Sequence, residues 1–370
     1  MSTHHTENGA PIEAAEATPD VTPGTASGVT RRSLLGGVGA GVGFATLAAS
    51  GIAMPSIVRA QGSKVRVGLG LNYGPFNQPW RRGCWKIAQT VTDGGGELVT
   101  VRGEPSKNSE QSSALALLDR DINVLVLGIY SLESETAYIV DEARKRGIKT
   151  VGFVVTVKDS PAVSENTWAT AMTIGYHMQN MLGRQGTIAQ TAEARGFYTP
   201  FDQEADMLSL MTSYEPRMKM LPFISGSVST EDQISKGRDN MLALLQANPK
   251  PGSISAFMSW WWPLTIGAAQ AMQQMGRDDI KLYNHYTSDQ LLAGIASGNV
   301  PVVFSTDVPY HTIGERVGKL ALQLGRGEKV PNNVDYVPVP TILPQDAAKY
   351  LDEIRAMDAA AIAYLKPFGG

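Results

Sequence analysis

Few groups in this 370-residue chain could do chemistry, and they are scattered. Its five histidines are His4, His5, His177, His285 and His311, and its one cysteine is Cys84. None of them falls at a metal-ligand spacing, and there is no HExxH pair, GxSxG nucleophile elbow or GxxxxGK[ST] phosphate loop. Neighbouring carboxylates such as Glu133 and Glu135, or Asp278 and Asp279, fall at helix starts or turns, where they complement the helix dipole or are solvated. The unusual feature is the run Trp260-Trp261-Trp262-Pro263. Neighbours on a strand point to opposite sides, so three consecutive indoles cannot all enter one core, and at least one is expected to face a binding surface. The inventory favours a binder over an enzyme, and no cofactor or metal is expected.

Elements must position those residues, and composition bounds the elements. With 43% hydrophobic and 18% charged residues the chain is globular, and its length suggests two domains, since one core rarely serves more than about 250–300 residues. A net charge of −3 argues against nucleic acid as a partner. One cysteine excludes an intrachain disulfide framework, and Cys84, beside Trp85 in an apolar helical pattern, reads as a buried structural thiol. Residues 1–29, rich in Ala, Pro, Thr, Glu and Gly, read as disordered. Then come Arg31-Arg32-Ser33-Leu34-Leu35, an uncharged Gly/Ala-rich stretch to Val58, and Val58-Arg59-Ala60 as a cleavage pattern. The order of parts predicts that 1–60 is a leader with a twin-arginine export signal and that the mature protein is periplasmic. The glycine content is too high for a membrane anchor, a lipoprotein would need a cysteine at the cleavage point, and Gly37-Val38-Gly39-Ala40-Gly41 lacks the full dinucleotide spacing.

From Lys64 onward strand and helix alternate. Val65, Val67 and Leu69 alternate as a strand, Gly83 to Val91 has helical spacing, and the apolar run Asn123 to Tyr130 marks a strand covered on both faces. Glu133 to Arg146 is helical and stops at Gly147. The pattern restarts at Thr167, continuing with a helix from Glu204 to Tyr214, a long one from Asp232 to Ala247, and a strand from Ser255 to Trp260. Strand–helix–strand units in series predict an α/β fold with parallel sheets, and two such sets predict two similar doubly wound lobes. Ligands of open parallel sheets sit beyond the carboxyl ends of the strands, so the cleft between the lobes is the expected site.

Several stretches, in this order, resemble the type I periplasmic sugar-binding proteins of ABC importers, the ribose-binding-protein group. They are Leu71-Asn72-Tyr73-Gly74-Pro75-Phe76, Ser164-Glu165-Asn166, Asp232 to Pro249, Gly267 to Met272, Thr287-Ser288-Asp289 and Leu324 to Val330. The same fold serves LacI-type repressors, but an export signal stands where their helix-turn-helix would begin. The resemblance implies two lobes joined by three crossing strands, the first at about 64–164 plus 308–336 and the second at about 165–307 plus 337–370. It also implies hinge closure on a small sugar or polyol, delivery to an ABC permease, and a monomer. A non-sugar aromatic or nucleoside-like solute, or a ligand-delivering sensory partner, are the alternatives.

Such a cleft needs rings for the C–H faces of a sugar and polar partners for its hydroxyls. By position the resemblance assigns the stacking ring to Phe76, flanked by Tyr73 and Asn77; the alternative for Phe76 is a core ring that anchors its loop. Tyr130 ends the third strand, Asn166 follows the first crossing, and Asp202-Gln203 is expected in a loop before a helix, where Asp202 serves either ligand or helix cap. Where the family often has an Asp-Arg pair, this chain has Phe153-Val154-Val155-Thr156. Trp260 stands in place of the ligand amide and is the indole expected in the cleft. His285 replaces a late Asp, or is a turn histidine. Asp307 is the hinge-adjacent polar residue, or a turn residue before Pro309. Fewer charges and more indole suggest a polyol, a deoxy or modified sugar, or a small cyclic alcohol.

Overall fold

A computed structural model describes residues 64–74, 77–128, 133–226 and 232–369. The leader expected at 1–60 and the side chains of Phe76 and Tyr130 lie outside the described residues. The chain begins with β1 (Arg66–Asn72), α1 (Gln78–Asp93), β2 (Glu97–Gly103), α2 (Lys107–Leu118), β3 (Val124–Leu127), α3 (Glu133–Lys145), β4 (Lys149–Phe153) and β5 (Ala162–Glu165). A second set follows: α4 (Thr167–Met181), β6 (Gly186–Ala192), α5 (Thr199–Ser213), β7 (Met218–Met220), β8 (Ile224–Ser225), α6 (Gln233–Ala247), β9 (Ala256–Ser259), α7 (Trp262–Gln274), β10 (Lys281–His285), α8 (Asp289–Ala296) and β11 (Val302–Thr306). The end comprises α9 (Tyr310–Gly325), β12 (Val334–Val337), β13 (Thr341–Ile342) and α10 (Ala347–Leu365).

These strands form two sheets, in the orders β12-β5-β4-β3-β1-β2 and β13-β11-β10-β9-β6-β7, with β8 also on β6. All pairings are parallel except β11 with β13. The fold is α/β with two parallel-sheet lobes, as the alternation predicts. Strands β3, β5 and β9 are buried at every position, because helices cover both faces and leave no face for polar residues. The chain leaves the first sheet at Glu165 and enters α4 at once, leaves the second at Thr306 and starts α9 at Tyr310, and passes from β12 to β13 through 338–340. These three short connections tie the lobes at one edge.

Three local departures from the expected elements affect the site. Helix α5 starts at Thr199 with Pro200 in its first turn, where a missing N–H costs nothing, so Asp202 and Gln203 are helical and not in a loop. Strand β9 stops at Ser259, so the alternation argument does not reach the tryptophans: Trp261 is the N-cap of α7 and Trp262 its first residue, and all three indoles are buried. Strand β4 stops at Phe153 because Val154 takes φ 69°. Cys84 is buried in α1, as expected. Among the described residues, no helix is long and apolar enough to cross a membrane.

Candidate functional site

The site lies where the carboxyl ends of β5, β10 and β11 meet the start of α9 and the first turns of α5. Its centre is His285, the last residue of β10, with no exposed surface. Its Nδ1 is 2.6 Å from Thr306 Oγ1 and its Nε2 is 3.2 Å from Glu165 Oε2 and 3.1 Å from Glu204 Oε1. Glu165 comes from the first sheet, while Glu204 and His285 belong to the second lobe. All three are fully buried, or nearly so. Glu165 Oε1 accepts a short hydrogen bond from the Tyr286 hydroxyl, and Tyr198 OH is 3.4 Å from that hydroxyl.

Burial disfavours a charged imidazole, but the Glu204 and Glu165 carboxylates outweigh it and push His285 up to about 10. Burial also pushes Glu204 up to about 8, against the attraction of His285. Burial and the nearby Glu165 hold the Tyr198, Tyr286 and Tyr310 hydroxyls well above their ordinary range, so they remain O–H donors. A set of aromatic contacts spans the lobes around this polar centre. Trp80 packs on Phe153 at 4.7 Å and on Tyr310 at 5.8 Å, Tyr310 on Tyr286 at 6.1 Å, and Tyr286 on Phe201 at 5.1 Å and Trp261 at 5.7 Å. Trp261 Nε1 donates to Gln233 Oε1 at 2.8 Å, and Gln233 Nε2 to Glu193 Oε1 at 2.7 Å, which holds the indole in place.

Two backbone positions beside the site are strained. Val154 and Tyr286 sit at φ 69° and 60° directly after β4 and β10. A β-branched valine in this region costs about 1–3 kcal/mol and persists only where the surroundings over-determine it. Here the Val154 N–H donates to Val163 O at 2.8 Å, and Ser164 Oγ donates to Val154 O. The strain re-aims both chain segments where they leave their sheets.

The residues singled out from the sequence fall into two groups. Trp260, His285 and Asp307 are brought together at the lobe junction. Trp260 stands edge-on to His285 at 6.1 Å, and its Nε1 donates to Gln190 Oε1 at 2.9 Å. Asp307 is 2% exposed and accepts the Thr287 N–H at 2.8 Å and the Tyr350 hydroxyl at 3.0 Å, with Arg82 Nη2 4.0 Å away. Burial raises its carboxyl, and Arg82 opposes that. The others have local partners. Asn166 Oδ1 caps α4 by accepting the Ala169 N–H at 3.0 Å. Asp202 pins the 195–202 turn by accepting the Gly196 N–H at 2.8 Å. Gln203 accepts the Thr167 hydroxyl at 3.0 Å. Arg102 lies over the Tyr73 ring at 4.4 Å and bonds its carbonyl, while the buried Tyr73 hydroxyl has no partner among the described residues. Asn77 is buried at the start of α1 and makes no side-chain cap bond.

Sequence reasoning missed Glu165, Glu204, Tyr286 and Tyr310. Glu165 sits inside a quoted stretch, next to Asn166, and Tyr286 directly follows His285, so the signal was adjacency. Which neighbour turns inward depends on the strained turns and on the early start of α5.

Comparison with known proteins places this geometry in a family. Residues 70–329 match the pattern described as the periplasmic binding protein domain. No curated protein matches the chain. Among solved structures, an ABC transporter solute-binding protein from Agrobacterium vitis with bound allitol superposes with a TM-score of 0.68 at 21% identity, covering 78% of this chain and 99% of that one. A solute-binding protein from Thermotoga lettingae in complex with 5-methylthioribose gives 0.67 at 20% identity, covering 83% and 93%. One from Bacillus halodurans with bound myo-inositol gives 0.68 at 13% identity, covering 80% and 99%. These similarities show the shared fold, and with the pattern match over most of its length the chain belongs to the periplasmic binding protein family.

Proposed function

We propose that this protein is the solute-binding component of an ABC importer, exported to the periplasm by the twin-arginine signal in its leader. In this reading it captures a small sugar or polyol between lobes formed by 64–164 plus 308–336 and 165–307 plus 337–370. It hands the solute unchanged to a membrane permease. The carrying observation is that buried hydrogen-bonding groups at or beside the crossings (Glu165, Asp307, with His285 and Glu204) lie where the rings of Trp80 and Tyr310 from the first lobe meet those of Tyr286 and Trp261 from the second. Hydroxyl groups of a polyol need partners when buried, and its C–H faces need apolar cover. Family membership supports solute binding, and the solutes named for the structurally similar proteins are sugars and polyols.

Calorimetry over a panel of sugars, polyols and nucleosides tests this. One polyol or modified sugar should bind micromolar or tighter, and should be recovered unaltered. Asp307→Asn should weaken it at least tenfold, about 1.4 kcal/mol, with an unchanged circular dichroism spectrum. Tight nucleoside binding with no polyol binding would favour the aromatic-solute alternative and reject this one.

A further inference from the structure

We propose that Glu165, Glu204 and His285 hold a divalent transition-metal ion, zinc in the first instance, where the first crossing strand meets the second lobe. Their ligand atoms all lie within 4.8 Å of one another, and all three residues are buried. The Nε2···O separations of 3.1 and 3.2 Å are close to the about 3.3 Å expected between two donors each about 2.0 Å from one tetrahedral ion. One imidazole and two carboxylates form a donor set that zinc accepts, and three protein ligands leave a fourth position for a water or a solute oxygen.

Two independent observations point to an occupant. The first is Glu204 itself. It has no exposed surface, and among the described residues neither of its oxygens receives a hydrogen bond; His285 Nε2 is near Oε1 but forms its hydrogen bond with Glu165. A buried carboxylate oxygen without a donor is costly, and a cation at this point removes the cost. The second is the outer arrangement. Thr306 Oγ1 lies 2.6 Å from His285 Nδ1, in position to accept its proton, so that a metal displacing the Nε2 proton would find the Nε2 lone pair directed at it, and the Tyr286 hydroxyl orients Glu165. Such second partners on a ligating His and carboxylate fix their direction toward a metal.

The spacing argument from sequence could not see this site, because His285 and Glu165 stand 120 residues apart. The inference goes beyond solute capture and can fail without it.

The test uses the untagged full chain, stripped with chelator, dialysed against zinc chloride and analysed by elemental mass spectrometry, with cobalt(II) absorption as a second readout. We expect one zinc per chain, a tetrahedral cobalt spectrum from oxygen and nitrogen ligands, and affinity at least about 100-fold weaker in both Glu204→Gln and His285→Gln. Any zinc held by His4 and His5 would survive both substitutions. No zinc uptake by the folded wild type, or uptake that both variants retain, overturns the inference. Polyol binding by the metal-free protein would then leave the solute-binding reading intact.

Discussion

Glu193 shows how burial alone sets the behaviour of one residue. It follows β6, is 9% exposed, and accepts one hydrogen bond from Gln233. Burial pushes its carboxyl from 4.5 to about 8, and the Gln233 bond opposes only part of that. The folded chain therefore keeps a proton that the unfolded chain has already lost, so stability falls as pH rises from about 4.5 to about 8. Glu193→Gln retains an oxygen for Gln233 and removes the titration. Urea unfolding should show the variant more stable than wild type by on the order of 2 kcal/mol at about pH 9, with the advantage gone at about pH 4. An equal offset at both pH values would contradict this. His177, by contrast, packs on Phe304 at 4.1 Å and meets the Tyr283 hydroxyl at 3.3 Å, so a histidine conspicuous in the sequence serves the second lobe's packing. Residue identity marked His285 and Asp307 as candidates, but it gave no sign of which glutamates would meet them.

Each lobe is clamped by a pair of helices that touch backbone to backbone. A Cβ on Gly314 of α9 would stand 2.3 Å from the carbonyl oxygen of Gly83 in α1, and one on Gly267 of α7 would stand 2.1 Å from Ile234 O in α6. Neither contact can relax by a side chain swinging away, because the obstacle is main chain. Gly314→Ala should therefore force α1 and α9 apart and cost about 1–3 kcal/mol, read as a lower urea midpoint at unchanged slope. Tyr310 opens α9 at the lobe junction, so the same substitution should also weaken solute binding. Wild-type stability in Gly314→Ala would show that the helices part without loss. The helices themselves were legible as apolar periodicity, and Gly147 as a stop. Their close approach was not, since a glycine at a helix crossing and one on an open surface read alike.

The whole molecule is held at its hinge side by α10, which touches both lobes. Its Asp358 bonds Arg82 of α1 at 3.2 Å, and its Tyr350 bonds Asp307 beyond β11. Arg82 is 2% exposed, so Asp358→Ala leaves a buried guanidinium whose remaining carboxylate partner among the described residues is the more distant Asp307 at 4.0 Å. The expected loss is about 3 kcal/mol in thermal or urea unfolding, and a loss below 0.5 kcal/mol would mean the pair is dispensable. Solute should shift the lobes toward closure, seen as a smaller radius of gyration in solution scattering. Replacing Arg31 and Arg32 together by lysine should leave the protein in the cytoplasmic fraction, and normal export of that variant would remove the twin-arginine reading.

By itself the sequence determined the alternation of strand and helix, the burial of β3 on both faces, the two successive α/β sets and the order of stretches shared with sugar-binding proteins. These follow from local periodicity and composition, which every short window of chain carries. Only the tertiary structure decided that Glu165, Glu204 and His285 converge, that all three indoles are buried, and that Asp202 belongs to a helix. Convergence depends on where each strand stops and how the next residue turns, as at Val154 and Tyr286, whose left-handed backbones are imposed by neighbours distant in the chain. Periodicity describes which face a residue occupies within its own element. It carries no information about what another lobe sets against that face.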